Sequence, residues 1–266
     1  MPDYDFLGAV EAATRWIHVF AAILWIGQTY LFNFMERSLE PSEDDNVAGN
    51  LWMVHGGGFY LVEKQRLPKI MPMRLHWFKW EAAATWISGV VLITLRYYMG
   101  GLLVEPGQSY WMGVTVAAGA IVVTWFVYDL MVRSPLGRNE RAFTAASLVL
   151  VLVLHYTFLR FLSSRAAFLH VGAVLGTIMA ANVWMRILPS QRRMIALAQE
   201  GKRPEPALMA TGPLRSRQNS YMVVPLVFIM ISNHYPSISY GSDQSTMVLG
   251  AILVVGWIFA RLLRGE

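Results

Sequence analysis

Apolar and polar positions fall into long blocks along this chain. Seven apolar runs stand out, at about residues 10–34, 77–98, 110–132, 142–162, 166–188, 221–235 and 246–263. A helix needs about 20 apolar residues to cross a hydrocarbon layer, and most of these runs reach that length. The pattern predicts an all-α integral membrane protein, a single transmembrane domain of about seven helices over residues 1–266. Two polar segments, 36–75 and 189–217, read as the long loops. Pro204, Pro206 and Pro213 reinforce the loop reading of the second, and Pro225 predicts a kink in a short sixth span. Gly172, Gly176 and Ala180, spaced by four, predict a small-residue face for close packing. Asn182 on the same span is placed to bond across to a neighbour.

Composition agrees. The sequence is 55% apolar and 15% charged, against roughly 25% charged in ordinary soluble domains. It has no cysteine, which excludes disulfides, thiolate metal sites and thioether-linked haem. Of its 22 Lys and Arg residues, only Arg15, Arg96, Arg160 and Arg165 fall near the face that holds the N-terminus. By the positive-inside rule the N-terminus lies outside and the C-terminus in the cytoplasm. The net charge of +5 is then a feature of topology and does not call for nucleic acid.

The chemistry sits in ionisable residues inside or beside the runs, where they are costly and face protein. His18, His155, His170 and His234 fall in the outer third of the layer, on four different spans. Arg15, Arg160 and Arg165 stand three to five residues nearer the surface than His18, His155 and His170. Imidazoles rimmed by guanidiniums suit a non-covalent, b-type haem with outward propionates, His18 and His170 being the first choice of axial ligands. The other reading is of buried histidines bonded to neighbouring helices and arginines snorkelling to headgroups. Asp129 and Arg133, four apart, predict a structural ion pair.

A second group lies on the cytoplasmic side. His55 precedes three glycines and Phe59-Tyr60, followed by Lys64, Arg66 and Lys69; His76, Lys79 and Glu81 open the second span among Trp77, Trp80 and Trp86. Glycines beside an aromatic pair suggest backbone lying close to something, and the cations behind them would attract an anion. The segment also reads as an interfacial amphipathic stretch with its cations on lipid headgroups. Glu81, a few residues into a span, needs a partner; Lys64, Lys79 or His76 is expected to supply it.

Several stretches resemble one family. They include Trp16-Ile-His-Val with Trp25-Ile-Gly, His55-Gly-Gly-Gly-Phe-Tyr, Leu75-His-Trp-Phe-Lys-Trp-Glu, Tyr128-Asp-Leu and Arg133-Ser-Pro-Leu-Gly-Arg-Asn. His170-Val-Gly-Ala, Pro189-Ser-Gln-Arg and Met230-Ile-Ser-Asn-His-Tyr-Pro follow. Together they are similar to the membrane domain of bacterial membrane-bound urate hydroxylases, the urate oxidase N-terminal domain family. The resemblance implies oxidation of urate to 5-hydroxyisourate in the bacterial inner membrane, with electrons passed to a c-type cytochrome. It implies a pocket for a planar anion, with His55 or His76 as general base beside Glu81, and Lys64, Arg66 and Lys79 binding substrate. In the full layout of that family a further span leads to a cytochrome bearing Cys-x-x-Cys-His, which this cysteine-free sequence does not carry. The expected partner is therefore a separate cytochrome or other electron-transfer protein. The alternative is a haem-binding or structural subunit of a larger membrane complex.

Overall fold

The computed structural model describes residues 5–66 and 74–265; Lys69 lies outside them. Seven helices run through the described residues: α1 (Phe6–Arg37), α2 (Trp80–Ile93), α3 (Tyr110–Arg133), α4 (Glu140–Phe161), α5 (Ser164–Gln199), α6 (Pro206–Ile231) and α7 (Ser245–Arg264). Five of them, α1, α3, α4, α5 and α7, are long and apolar enough to cross a membrane. Two π-helical turns interrupt the set, Thr94–Tyr98 continuing α2 and Val183–Ile187 inside α5.

Local chemistry fixes where these helices begin. The Asp5 carboxylate accepts from Gly8 N–H at 2.8 Å, and Asn139 and Ser163 do the same for α4 and α5. The Ser163 hydroxyl also donates to Leu102 O at 2.7 Å, tying the short α4–α5 turn to the loop before α3. Seven passes leave the start of α1 at one end of the bundle and the end of α7 at the other. We call these the N-terminal end and the hairpin end.

The central helix is α5. Of its most apolar window 78% is buried, against 6% for α1. Phe168, Val171, Val174, Leu175 and Ile178 carry the core against Phe158 and Val151 of α4, Tyr128 and Trp125 of α3 and Ile229 of α6. Gly172 lets α6 approach: a Cβ there would lie 2.6 Å from Met230 Cε. This is the close packing expected of the small-residue face. Helix α1 is peripheral and packs mainly on α2.

Two polar segments differ from expectation. Residues 189–217 are not a loop. The first part continues α5 to Gln199, and α6 begins at Pro206, so the sixth helix is Pro206–Ile231 and not 221–235. Pro206 occupies the first turn, where its missing N–H costs nothing. Pro213 lies inside the helix, and the contacts of the buried Arg215 two residues on outweigh the lost hydrogen bond. In the segment 36–75, residues Val47–His55 (β1) and Gly58–Gln65 (β2) form an antiparallel hairpin. Gly56 (φ 58°) and Gly57 (φ 79°) make its two-residue turn, a backbone region that glycine enters at little cost.

Cross-strand pairs Trp52–Leu61 and Val54–Phe59 share one face of this hairpin. All four side chains are exposed, Phe59 by 80%.

Candidate functional site

At the hairpin end, α2 begins with Lys79 as its cap residue and Glu81 in its first turn. The Gln28 amide nitrogen of α1 donates to Glu81 Oε1 at 3.2 Å. Glu81 Oε2 is buried and has no hydrogen-bond partner among the described residues. Several tryptophans stand on this part of the bundle. Trp25 and Trp77 pack on Ala82, Val183 and Leu188. Trp80 meets Trp184 edge-on with centroids 5.9 Å apart, and Lys79 Nζ lies 5.1 Å from the Trp80 ring and 5.9 Å from that of Trp184. Trp184 stands in the π turn of α5, where the wider winding changes which side chains face α2. His76 lies edge-on to Phe78 at 4.6 Å, and Phe78 meets Phe32 of α1 at 5.1 Å.

The arrangement offers a hydrogen-bond acceptor, an amide, an ammonium ion and flat indole faces.

The other members of the expected cluster lie elsewhere. Lys64 Nζ binds Glu36 Oε1 at 2.6 Å, so it partners neither Glu81 nor a shared pocket. His55 is exposed at the hairpin turn, while Lys64 pairs with Gly49 near the base. At about 3.3 Å per strand residue the two are separated by roughly 20 Å. Arg66 follows Lys64 at the base and is exposed. Glu81 takes Gln28 as its partner, in place of the expected Lys64, Lys79 or His76.

Toward the N-terminal end the four histidines occur one by one. His170 is fully buried, with Nδ1 2.7 Å from Ala166 O. The carbonyl can only accept, so Nδ1 carries the proton and Nε2 accepts from the Tyr98 hydroxyl at 3.2 Å. Tyr97, Tyr98 and Phe158 pack edge-on around the ring. His18 Nδ1 donates to Thr85 O at 2.9 Å, and its ring lies against Gly89, where a Cβ would come within 3.0 Å. Its Nε2 keeps a lone pair and enters none of the described hydrogen bonds. His155 is fully buried, its Nδ1 3.0 Å from Thr246 Oγ1, while its Nε2 has no partner among the described residues. His234 is exposed at the end of α6.

His18 and His170 have separate protein partners in this arrangement. They reach Ser88 of α2 and Tyr98 of the π turn that follows it, ten residues apart, and both His170 nitrogens are engaged with protein. His18 has one N–H held by a carbonyl and the other nitrogen left as a lone pair, and among the described residues His155 likewise keeps one nitrogen without a partner. The three arginines also have protein partners. Arg15 pairs with Glu11, Arg160 stacks on the Tyr156 ring, and Arg165 Nε donates to Asn233 Oδ1 at 2.7 Å.

A third constellation, nearer the hairpin end, is largely absent from the sequence reading. Asp129 of α3 pairs with Arg133, as expected, but at 3.6 Å. Its closer partners are Arg186, whose Nε donates at 2.8 Å, and Arg215 of α6. Arg215 is 3% exposed. It also donates to Asn182 Oδ1 at 3.2 Å, and the Asn182 amide donates to Tyr128 Oη at 3.1 Å and Asn219 Oδ1 at 2.9 Å. The expected cross-helix role of Asn182 is therefore met. Arg215 escaped because it sits in a stretch that composition marks as a loop.

Among the described residues no group of three or more His, Cys, Asp or Glu is placed to hold a metal ion. No curated protein and no solved structure matches the chain. The sequence model described as urate oxidase N-terminal matches residues 5–263. That span covers the helices, the hairpin and every constellation described above, and the chain belongs to the urate oxidase N-terminal family.

Proposed function

We propose that this chain is a membrane-bound oxidoreductase domain that oxidises urate to 5-hydroxyisourate. Urate and water give the product with release of two protons and two electrons. The electrons go, one at a time, to a c-type cytochrome on a separate chain. The observation that carries the reading is the family match across residues 5–263. The surroundings of Glu81 support it. Glu81 accepts from the N–H groups of the ring, Trp80 and Trp184 stack on it, and Lys79 offsets its negative charge. His76, edge-on to Phe78 just before α2, is the general base on this reading.

A b-type haem would be held through His18 Nε2 and would supply one-electron storage between substrate and cytochrome. In the bacterial inner membrane the N-terminal end faces outward and the hairpin end faces the cytoplasm, as the distribution of Lys and Arg supports.

The test uses membranes carrying the full chain, urate and oxidised cytochrome c. Loss of urate absorbance should accompany cytochrome reduction. His76→Gln should lower the rate by about 100-fold, within the usual range for a general base, and Glu81→Gln by about tenfold, as for one charge-assisted hydrogen bond. An unchanged urate concentration with wild-type membranes overturns the reading. A redox difference spectrum of the purified chain tests the haem separately: the haem signal should be lost in His18→Ala.

One observation favours a second reading, a haem-binding or structural subunit of a larger electron-transfer complex. The exposed apolar face of the hairpin, Trp52, Val54, Phe59 and Leu61, is a surface that such a complex would cover. A haem spectrum without urate turnover would select this reading.

A further inference from the structure

The Asp129 centre carries more positive charge than its own acid can balance. Three guanidiniums, Arg133, Arg186 and Arg215, converge on this single carboxylate. Arg215 is buried and consumed by Asp129 and Asn182. Arg186 and Arg133 point outward, with side chains 31% and 67% exposed. Neither has a second acid among the described ion pairs. Isolated surplus charge beside an apolar layer is costly and wants a counterion.

A second feature adds a hydrogen-bond donor beside these cations. Trp125 lies one turn before Asp129 on the same face of α3, and the Arg186 guanidinium sits 5.5 Å from its ring centroid. The indole is 5% exposed, and its Nε1 has no hydrogen-bond partner among the described residues. An indole N–H can only donate. Surplus cations and an unanswered donor share a need for an acceptor that is also an anion.

We propose that Arg133, Arg186 and the Trp125 indole N–H form a binding site for a phosphate-type oxyanion. It is either the headgroup phosphate of an acidic lipid or a free phosphate group. Arg133 is the last residue of α3, at the level where headgroups meet the end of a membrane helix. The planar donor forks of the two guanidiniums match phosphate oxygens. The site is separate from the Glu81 region and does not depend on urate chemistry.

The experiment follows thermal unfolding of the purified full chain in neutral detergent. Three additions are compared: phosphatidylglycerol in mixed micelles, inorganic phosphate, and chloride at matched ionic strength. Phosphatidylglycerol or phosphate should raise the midpoint by several degrees over chloride. Stabilisation by phosphatidylglycerol alone identifies a lipid headgroup, and stabilisation by phosphate identifies a soluble anion. Arg133→Gln, a change at an exposed side chain, should weaken the apparent affinity about tenfold, equivalent to one charge-assisted hydrogen bond. Trp125→Phe keeps a ring and removes only the donor, and should also weaken binding. Equal midpoints with all three additions would overturn the proposal. So would a lipid or phosphate shift that survives undiminished in both variants.

Discussion

The histidines toward the N-terminal end and the charges around Asp129 solve the same problem in different ways. Both sets are polar side chains among membrane helices. Each of the three interior histidines has its own short list of partners, and His170 needs only a carbonyl of its own helix and one tyrosine. The Asp129 centre is a single network across α3, α5 and α6. The difference follows from charge. A neutral imidazole is satisfied by one or two hydrogen bonds wherever they occur. A buried carboxylate or guanidinium needs an opposite charge and further hydrogen bonds around it. Neutral polar groups can therefore scatter, and charged ones gather.

The strongest challenge to this contrast is Asp129→Asn. It would leave Arg215 buried without its counterion, at a cost of about 3–5 kcal/mol, and the chain should fail to accumulate as a monodisperse species on size-exclusion chromatography. A variant as stable as wild type would show that the network is not the anchor of the hairpin end. Next in size is His170→Phe, which keeps a ring but leaves the Tyr98 hydroxyl without its partner, while Ala166 O keeps its helical N–H. The expected loss is about 1–3 kcal/mol, seen as a lower thermal midpoint. His155→Phe sharpens the comparison, because one nitrogen of His155 has no partner among the described residues. It should cost distinctly less than His170→Phe, and the reverse order would mean that His155 holds something more than Thr246. The smallest effect belongs to Arg160→Gln. Its contacts are with the exposed Tyr156 in the preceding turn, and its midpoint should stay within the change produced by about 0.5 kcal/mol.

The helices were legible because each apolar run is long and continuous. The start of α6 was not, since Pro213 and Arg215 look like loop residues until Asp129 and Asn182, from other helices, are placed beside them. The hairpin was hidden for a different reason. The apolar runs at 51–54 and 59–62 flank glycines suited to a tight turn, but the alternating pattern of a one-sided sheet is missing, because both faces are largely apolar. Of the candidate site, His76, Lys79 and Glu81 could be grouped by spacing alone. Gln28 and Trp184 could not: one comes from a separate helix and the other from a turn whose winding leaves no mark in periodicity. The partners of the histidines were not legible, because a residue's depth is a coordinate along one axis only. His18 and His170 share the outer half by counting, yet bond to Ser88 and Tyr98, ten residues apart.

The π turn Val183–Ile187 ties the two working regions of the hairpin end together. Trp184 stands against Trp80, and Arg186, two residues later, holds Asp129. An α-helix advances about 100° per residue, so removing one residue from this turn would swing everything beyond it by more than a quarter of a circle. Both contacts would disengage in a single motion. A substrate at the proposed indole site and an anion at the proposed guanidinium site would act on one and the same pivot in the central helix.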